Sequence, residues 1–276
     1  MLLSTFSFLD AQVISLPYSN DFESDPNGST GCNPITYELI YSGWSNVTGD
    51  QGDWTGDVNG TGSGSTGPTA NGGADYNPGI SGGRYLYVEA SCSWNSSSFA
   101  NLESDSIDLT VANAVQFVYA YHLYGSSMGF LHVDVDTTAN GTWLLDVVPA
   151  KTGNIDQWFV DTIDLSAFNG NYIKLRLRSQ GGTSFTADMA IDDIKLYDLI
   201  PLDAGITSID TPATTFCTLP SMSNVYATIT NYGTDTLFSA DVAWEVNGTP
   251  QTIYNWSGML LQNQSISVNI GSAAIV

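Results

Sequence analysis

Residues 119–135 read YAYHLYGSSMGFLHVDV, two runs of alternating character that meet across a glycine-containing corner. Upstream and within it, Phe117, Tyr119 and Tyr121 alternate with Val118, Ala120 and His122, so both faces are rather apolar. That pattern predicts a strand held between two packed layers, with His122 inside or near the core. A histidine in such a place is expected to be a hydrogen-bonded structural residue rather than a catalyst or a ligand, and His132 is read in the same way. Gly125 and Gly129 permit the corner, after which Leu131, Val133 and Val135 begin a second strand.

Similar runs recur along the chain at 85–90, 114–124, 130–135, 158–165, 172–178 and 189–197. Helical spacing sustained over three turns is absent, and the connections are rich in Gly, Asn, Asp, Ser and Pro, which accept positive φ or bond their own backbone. The fold class that follows is all-β, a sandwich or jelly roll. With 276 residues, of which 42% are hydrophobic and 12% aromatic, the chain has enough apolar surface for more than one core. Three spans are read: 1–17 as a signal-peptide remnant and leader, 18–199 as a large jelly roll, and 200–276 as a smaller β-sandwich. The opening MLLSTFSFLDAQ ends like a secretory signal but lacks its basic start. The break is placed at LIPLD, 199–203, where Pro201 limits further pairing.

Six Lys and Arg stand against 28 Asp and Glu, a formal net charge of −22. Such a field repels phosphate backbones and anionic membranes, which argues against nucleic acid as a partner, and favours divalent cations. No run approaches the roughly 20 apolar residues that span a bilayer, so membrane insertion is not expected. Cys32, Cys92 and Cys217 show no metal-ligand spacing. In an exported chain Cys32 and Cys92 could pair, or all three could remain buried thiols; their Cα separation decides. The segment 56–73, GDVNGTGSGSTGPTANGG, has almost no apolar side chain and is expected to be a flexible surface loop. Asp57, Asn59 and Thr61 echo a calcium loop, but the bidentate Glu that would complete one is missing.

The sharpest chemical signal is Asp192-Asp193 inside a strand pattern. Successive side chains of a strand point to opposite faces, so one of the two carboxylates must look inward. Asp192 is assigned the more apolar set with Ala190, Ile194 and Leu196, and Asp193 the set with Lys195 and Tyr197. A buried carboxylate without a partner costs several kcal/mol or takes up a proton. The cationic side chains are Arg84, Lys151, Lys174, Arg176, Arg178 and Lys195, few of which are placed to reach it, so a metal ion is the economical counter-charge.

Taken in order, several stretches resemble the MAM domain, an extracellular β-sandwich module. They are NDFES at 20–24, Gly43-Trp44, Asp53-Trp54, Gly67-Pro68, Asp75-Tyr76, GGRYLYVEAS at 82–91, ANLES at 100–104, the 119–135 motif and IDDI at 191–194. The resemblance covers 20–198 and departs in its cysteines, because Asn20 stands where the first family cysteine falls. It implies a MAM-like jelly-roll β-sandwich whose first and last strands lie side by side, bringing Glu23 close to Asp192 and Asp193, with Asp53 completing a set. Hard oxygens of that kind suit Ca²⁺ as a structural ion; Na⁺, or backbone N–H and hydroxyl donors, are the alternatives. The second span, with Asn231 and Gly233 in an N-x-G turn, resembles a CARDB-type immunoglobulin-like module and is expected to be incomplete.

The chain carries no HExxH, GxSxG or P-loop, and no GxGxxG before a helix. It is therefore read as non-catalytic, with any catalytic domain outside it. The implied role is adhesion or recognition in a secreted or cell-surface, membrane-associated protein, its partner a protein or glycan of a cell surface or extracellular matrix. The alternatives are a carbohydrate-binding module, in which Trp44, Trp54, Trp94 or Trp143 stacks on sugar, and an accessory region of a larger secreted peptidase or hydrolase.

Overall fold

The computed structural model describes residues 13–25, 42–91, 94–212 and 221–275. The proposed leader up to Gln12 and all three cysteines lie outside the described residues. The chain divides into two compact units after Asp198.

Among the described residues the first unit holds thirteen strands. They are β1 (Val13–Ile14), β2 (Tyr18–Asn20), β3 (Trp44–Asn46), β4 (Thr55–Asp57), β5 (Tyr85–Val88), β6 (Phe99–Ser104) and β7 (Ser106–Asp108), followed by β8 (Val115–Leu123), β9 (Phe130–Asp136), β10 (Trp143–Leu144), β11 (Trp158–Asp164), β12 (Tyr172–Gln180) and β13 (Met189–Asp198). One sheet joins seven of them around β12, which is flanked by β9 on one edge and by β6 and β7 on the other. The other has the order β11-β8-β13-β5-β4, with β2 on β13 as well. The two sheets bury one core between them, the jelly-roll sandwich expected. Phe117 and Tyr119 of β8, Val133 and Val135 of β9, Leu175 and Leu177 of β12, and Ile191, Ile194 and Leu196 of β13 all belong to it. The six alternating runs match β5, β8, β9, β11, β12 and β13 to within about two residues at each end, while β6, six residues long, is not among them.

The last strand of this unit has the second as a neighbour, Asn20 of β2 standing opposite Ile194 of β13, whereas the first, β1, pairs in parallel with β7 of the other sheet. Between Asp192 and Lys195 the pairing with β8 slips by one residue, and Asp193 has φ +49°. This bulge changes which face the chain shows. Met189 and Ile191 face the main core before it and Ile194 and Leu196 after it, while Ala190 packs with Tyr85 and Tyr87 on the sheet's other side. By alternation Asp192 goes with Ala190, not with Ile194 and Leu196 as unbroken alternation predicts.

The second unit contains β14 (Ala204–Thr211), β15 (Ser221–Asn231), β16 (Leu237–Val242), β17 (Glu245–Val246), β18 (Thr249–Pro250), β19 (Tyr254–Leu260) and β20 (Ser265–Ile275). A three-stranded sheet, β14-β15-β20, and a β16-β19 pair share one small core around Ala227, Ile229, Trp256 and Val268. The N-x-G turn has a physical basis here. Asn231 is fully buried, donates to the carbonyls of Asp235 (2.8 Å) and Leu260 (2.9 Å), and accepts the Gly233 N–H (3.0 Å). A Cβ on Gly233 would come within 2.3 Å of the Pro201 carbonyl oxygen.

Candidate functional site

The face of the six-stranded sheet that points away from the main core is an aromatic and polar surface. Pairing aligns Trp158, His122, Ala190, Tyr87 and Thr55 in one row across β11, β8, β13, β5 and β4. Burial raises the Tyr85 and Tyr87 hydroxyls well above the usual tyrosine range, so both rings stay neutral.

The segment 58–84 lies over this face. It is long and poor in apolar side chains, yet Thr61, Thr66, Gly67, Pro68, Gly73, Ala74 and Asp75 within it are buried. It is therefore a packed cover, contrary to the flexible loop expected. Three aspartates, Asp188 and Asp192 fully buried and Asp156 partly so, make this possible by meeting its polar atoms, which otherwise could not leave water. Asp188 accepts the hydroxyls of Thr61 (2.8 Å) and Thr66 (2.7 Å) and the Ala90 N–H (2.9 Å). Asp156 accepts the N–H groups of Thr69 (3.1 Å) and Ala70 (3.2 Å) and the Thr69 hydroxyl. Asp192 accepts the N–H groups of Tyr76 (2.8 Å) and Asn77 (3.0 Å) through Oδ2, and its own neighbour's, Asp193, through Oδ1 (2.6 Å). Trp158 Nε1 donates to the Ala74 carbonyl (2.9 Å).

These anchors carry unequal electrostatic loads. Burial pushes the Asp192 carboxyl up to about 8 against its three backbone donors, with Asp75 adding to the rise. Burial likewise lifts Asp188 to about 6. Burial would raise Asp156 too, but its donors from Thr69 and Ala70 outweigh that and hold it low. His122 is buried and brought down to about 4 by desolvation, opposed by Asp156, whose Oδ1 lies 3.1 Å from its Nε2. It is thus a neutral, hydrogen-bonded histidine. His132, the other one, sits between Asp146 (2.5 Å) and the Gln180 side-chain oxygen (3.1 Å).

Of the residues proposed as metal ligands, Asp192 and Asp193 are buried side by side at the bulge. Asp193 pairs with Lys195 (2.6 Å) and accepts from the Asn77 side chain (3.0 Å), so a lysine already meets its charge. Glu23 receives the Arg84 N–H through Oε1, and its charge acts on Asp75. Asp53 stands just before β4, two strands from β13 in the sheet order. The residue missed is Asp75, which appeared only as part of the Asp75-Tyr76 match. It is 2% exposed, its Oδ1 takes the N–H groups of Gly79 (2.9 Å) and Ile80 (2.7 Å), and its Oδ2 is buried with no partner among the described residues. Burial, and after its hydrogen bonds the charge of Glu23, raise its carboxyl. Among the described residues no three carboxylate, imidazole or thiol side chains form a group able to hold a metal.

The tryptophans proposed for sugar stacking are otherwise employed. Trp44, Trp54 and Trp94 are core residues, and the Trp143 ring lies 4.1 Å from the Arg176 guanidinium carbon. Among the described residues no helix is long and apolar enough to cross a membrane.

The K1 and K2 cleaved adhesin domains of Lys-gingipain, the former from Porphyromonas gingivalis W83, are similar to this chain. Their identities are 16% and 19%, with 66% and 65% of this chain and 98% of each of theirs covered, at TM-scores of 0.38 and 0.40. The C-terminal family 22 carbohydrate binding module of Clostridium thermocellum Xyn10B is 13% identical over 66% of this chain and 91% of its own, with a TM-score of 0.38. At such distances these likenesses carry no argument. The assignment rests on the sequence: the model of the MAM domain, meprin/A5/mu, matches residues 31–199, more than half of the chain, and the chain belongs to that family.

Proposed function

We infer that the first unit is a non-catalytic, extracellular binding module whose partner is a protein or glycan of a cell surface or matrix. Membership of the MAM family supports this reading. The observation that carries it is the use made of three carboxylates, two of them, Asp188 and Asp192, fully buried. Asp156, Asp188 and Asp192 receive donors from the covering segment or beside it, so they build a rigid surface rather than an acid–base centre. Binding of the labelled chain to cells and matrix proteins tests this. Retention well above that of a heat-denatured sample is expected, and none on any cell, matrix protein or glycan would refute it.

The same reading includes a structural Ca²⁺. Asp75 and Asp192 are buried carboxylates, the charge of Asp75 adds to the rise of Asp192, and Asp75 Oδ2 has no partner among the described residues. A hard cation would relieve both, drawing the rest of its shell from carbonyls and water, since among the described residues no third side chain joins them in a ligand group. Calcium is expected to raise the melting temperature relative to chelator, and identical melting curves would remove the ion from the account. The immunoglobulin-like, CARDB-type reading of the second unit, with its buried Asn231 turn, is likewise a proposal. A carbohydrate partner is favoured by one specific feature, the cleft beside Trp158.

A further inference from the structure

A cleft of about 280 Å³ opens where the covering segment meets β11, and Asn71, Asp75, His122, Asp156, Gln157 and Trp158 are among its walls, Asp75 being the acid read above as a Ca²⁺ ligand. Its volume falls just below the roughly 300–1,000 Å³ typical of small-molecule sites, room for about one ring. One wall is aromatic. Trp158 is half-buried, and Tyr76, 39% exposed, meets it edge-on with ring centres 6.4 Å apart.

The polar groups decide what kind of ring fits. Asn71 and Gln157 are exposed and bring amides that both donate and accept. The Asp156 carboxylate is already met by Thr69, Ala70 and His122, so it needs no counter-charge and can still accept through remaining lone pairs. Because Asp156 accepts from His122 Nε2, the other ring nitrogen, Nδ1, is left as a bare acceptor. That Nδ1 is buried, has no partner among the described residues, and belongs to a residue only 1% exposed. Such an atom wants a hydroxyl donor or a water bound with one. No lysine or arginine lines the cleft, and the chain carries a net charge of −22, so anionic ligands are repelled.

We propose that this cleft binds a single neutral pyranose unit of a glycan, stacked against Trp158 and hydrogen-bonded by Asn71, Gln157 and Asp156. The proposal rests on the binding-module reading and gives it a ligand class and an address. Sugars offer an apolar ring face for the aromatic wall and hydroxyls that both donate and accept for the amides and carboxylate.

The test uses the full chain, first on an array of neutral, sialylated and sulfated glycans, then by titration with methyl glycosides of glucose, galactose, mannose and xylose. Binding to neutral glycans is expected. Trp158→Ala should weaken it at least about tenfold, and Asn71→Gly, which suits the left-handed backbone there (φ +54°), and Gln157→Ala by roughly two- to tenfold each with unchanged melting temperature. The two amide variants keep the test decisive if Trp158→Ala fails to fold. Neutral-glycan binding untouched by all three variants would overturn the cleft while leaving the binding module standing. So would a preference for sialylated or sulfated glycans, or tighter binding of butylammonium than of any glycoside. Absence of glycan binding with retained adhesion to cells overturns the sugar ligand alone.

Discussion

The Oδ2 oxygen of Asp192 lies 2.8 Å from the backbone nitrogen of Tyr76, a bond that ties the last strand of the sandwich to a segment 116 residues earlier. Replacing Asp192 by Ala leaves the N–H groups of Tyr76 and Asn77 buried without an acceptor. Each orphaned donor costs about 1–3 kcal/mol, so a loss of roughly 2–6 kcal/mol is expected in urea unfolding. Asp192→Asn keeps one acceptor oxygen and should cost less, while abolishing any rise in melting temperature with calcium. A calcium shift of wild-type size in Asp192→Asn would show that the ion binds elsewhere.

The same carboxyl makes stability depend on pH. Its value rises from 3.8 when unfolded to about 8 when folded, so the folded state holds the proton more tightly. Its contribution is complete below pH 4 and is lost as pH rises through about 8. In chelator, wild type should therefore exceed Asp192→Asn by more at pH 5 than at pH 8. His122 works the other way, since its lowered value removes stability as pH falls from 6.5 toward about 4, but it is common to both proteins and cancels in the difference. Saturating calcium should flatten the dependence, because a cation stabilises the ionised form. A difference independent of pH in chelator would contradict this assignment.

On the seven-stranded sheet Asp134 is fully buried and accepts from Arg176 Nε and Nη2 (3.0 and 2.9 Å) and from Arg178 Nε and Nη2 (2.8 and 3.1 Å). Burial would raise its carboxyl, but these donors and the Asp146 N–H hold it below the usual range. Asp134→Asn leaves two guanidinium groups side by side over a neutral amide. Breaking such a pair costs about 3–5 kcal/mol, readable as a lowered urea midpoint with an unchanged slope. A change under about 1 kcal/mol would mean that solvent screens the cluster.

A Cβ added to Gly83 would come within 2.3 Å of the Asp75 carboxyl. Asp75 cannot yield, being buried and pinned by the N–H groups of Gly79 and Ile80. Gly83→Ala should destabilise by roughly 1–3 kcal/mol and blunt the calcium response. Loss of stability with a full calcium response would separate Asp75 from the ion.

What could be read along the chain was whatever depends on near neighbours. Alternation marked the long strands, and the adjacency of Asp192 and Asp193 forced one carboxylate inward. The bulge at Asp193 escaped notice because it arises from a slip against β8, a partner some 70 positions away that no local pattern reveals. The segment 58–84 looked free for a related reason. Its own residues are too polar to pack, and only the folded sheet brings Asp156, Asp188 and Asp192 underneath it.

Sequence alone thus settled that this is an extended-strand protein of a recognisable family with two adjacent acids in one strand, at least one of them buried, since side-chain period and residue type are local properties. Tertiary structure decided which acids share a neighbourhood, which tryptophans are core and which one borders a cleft. Those outcomes depend on contacts between distant segments, whose energy is set by burial and hydrogen-bond partners that exist only once the sheets have closed.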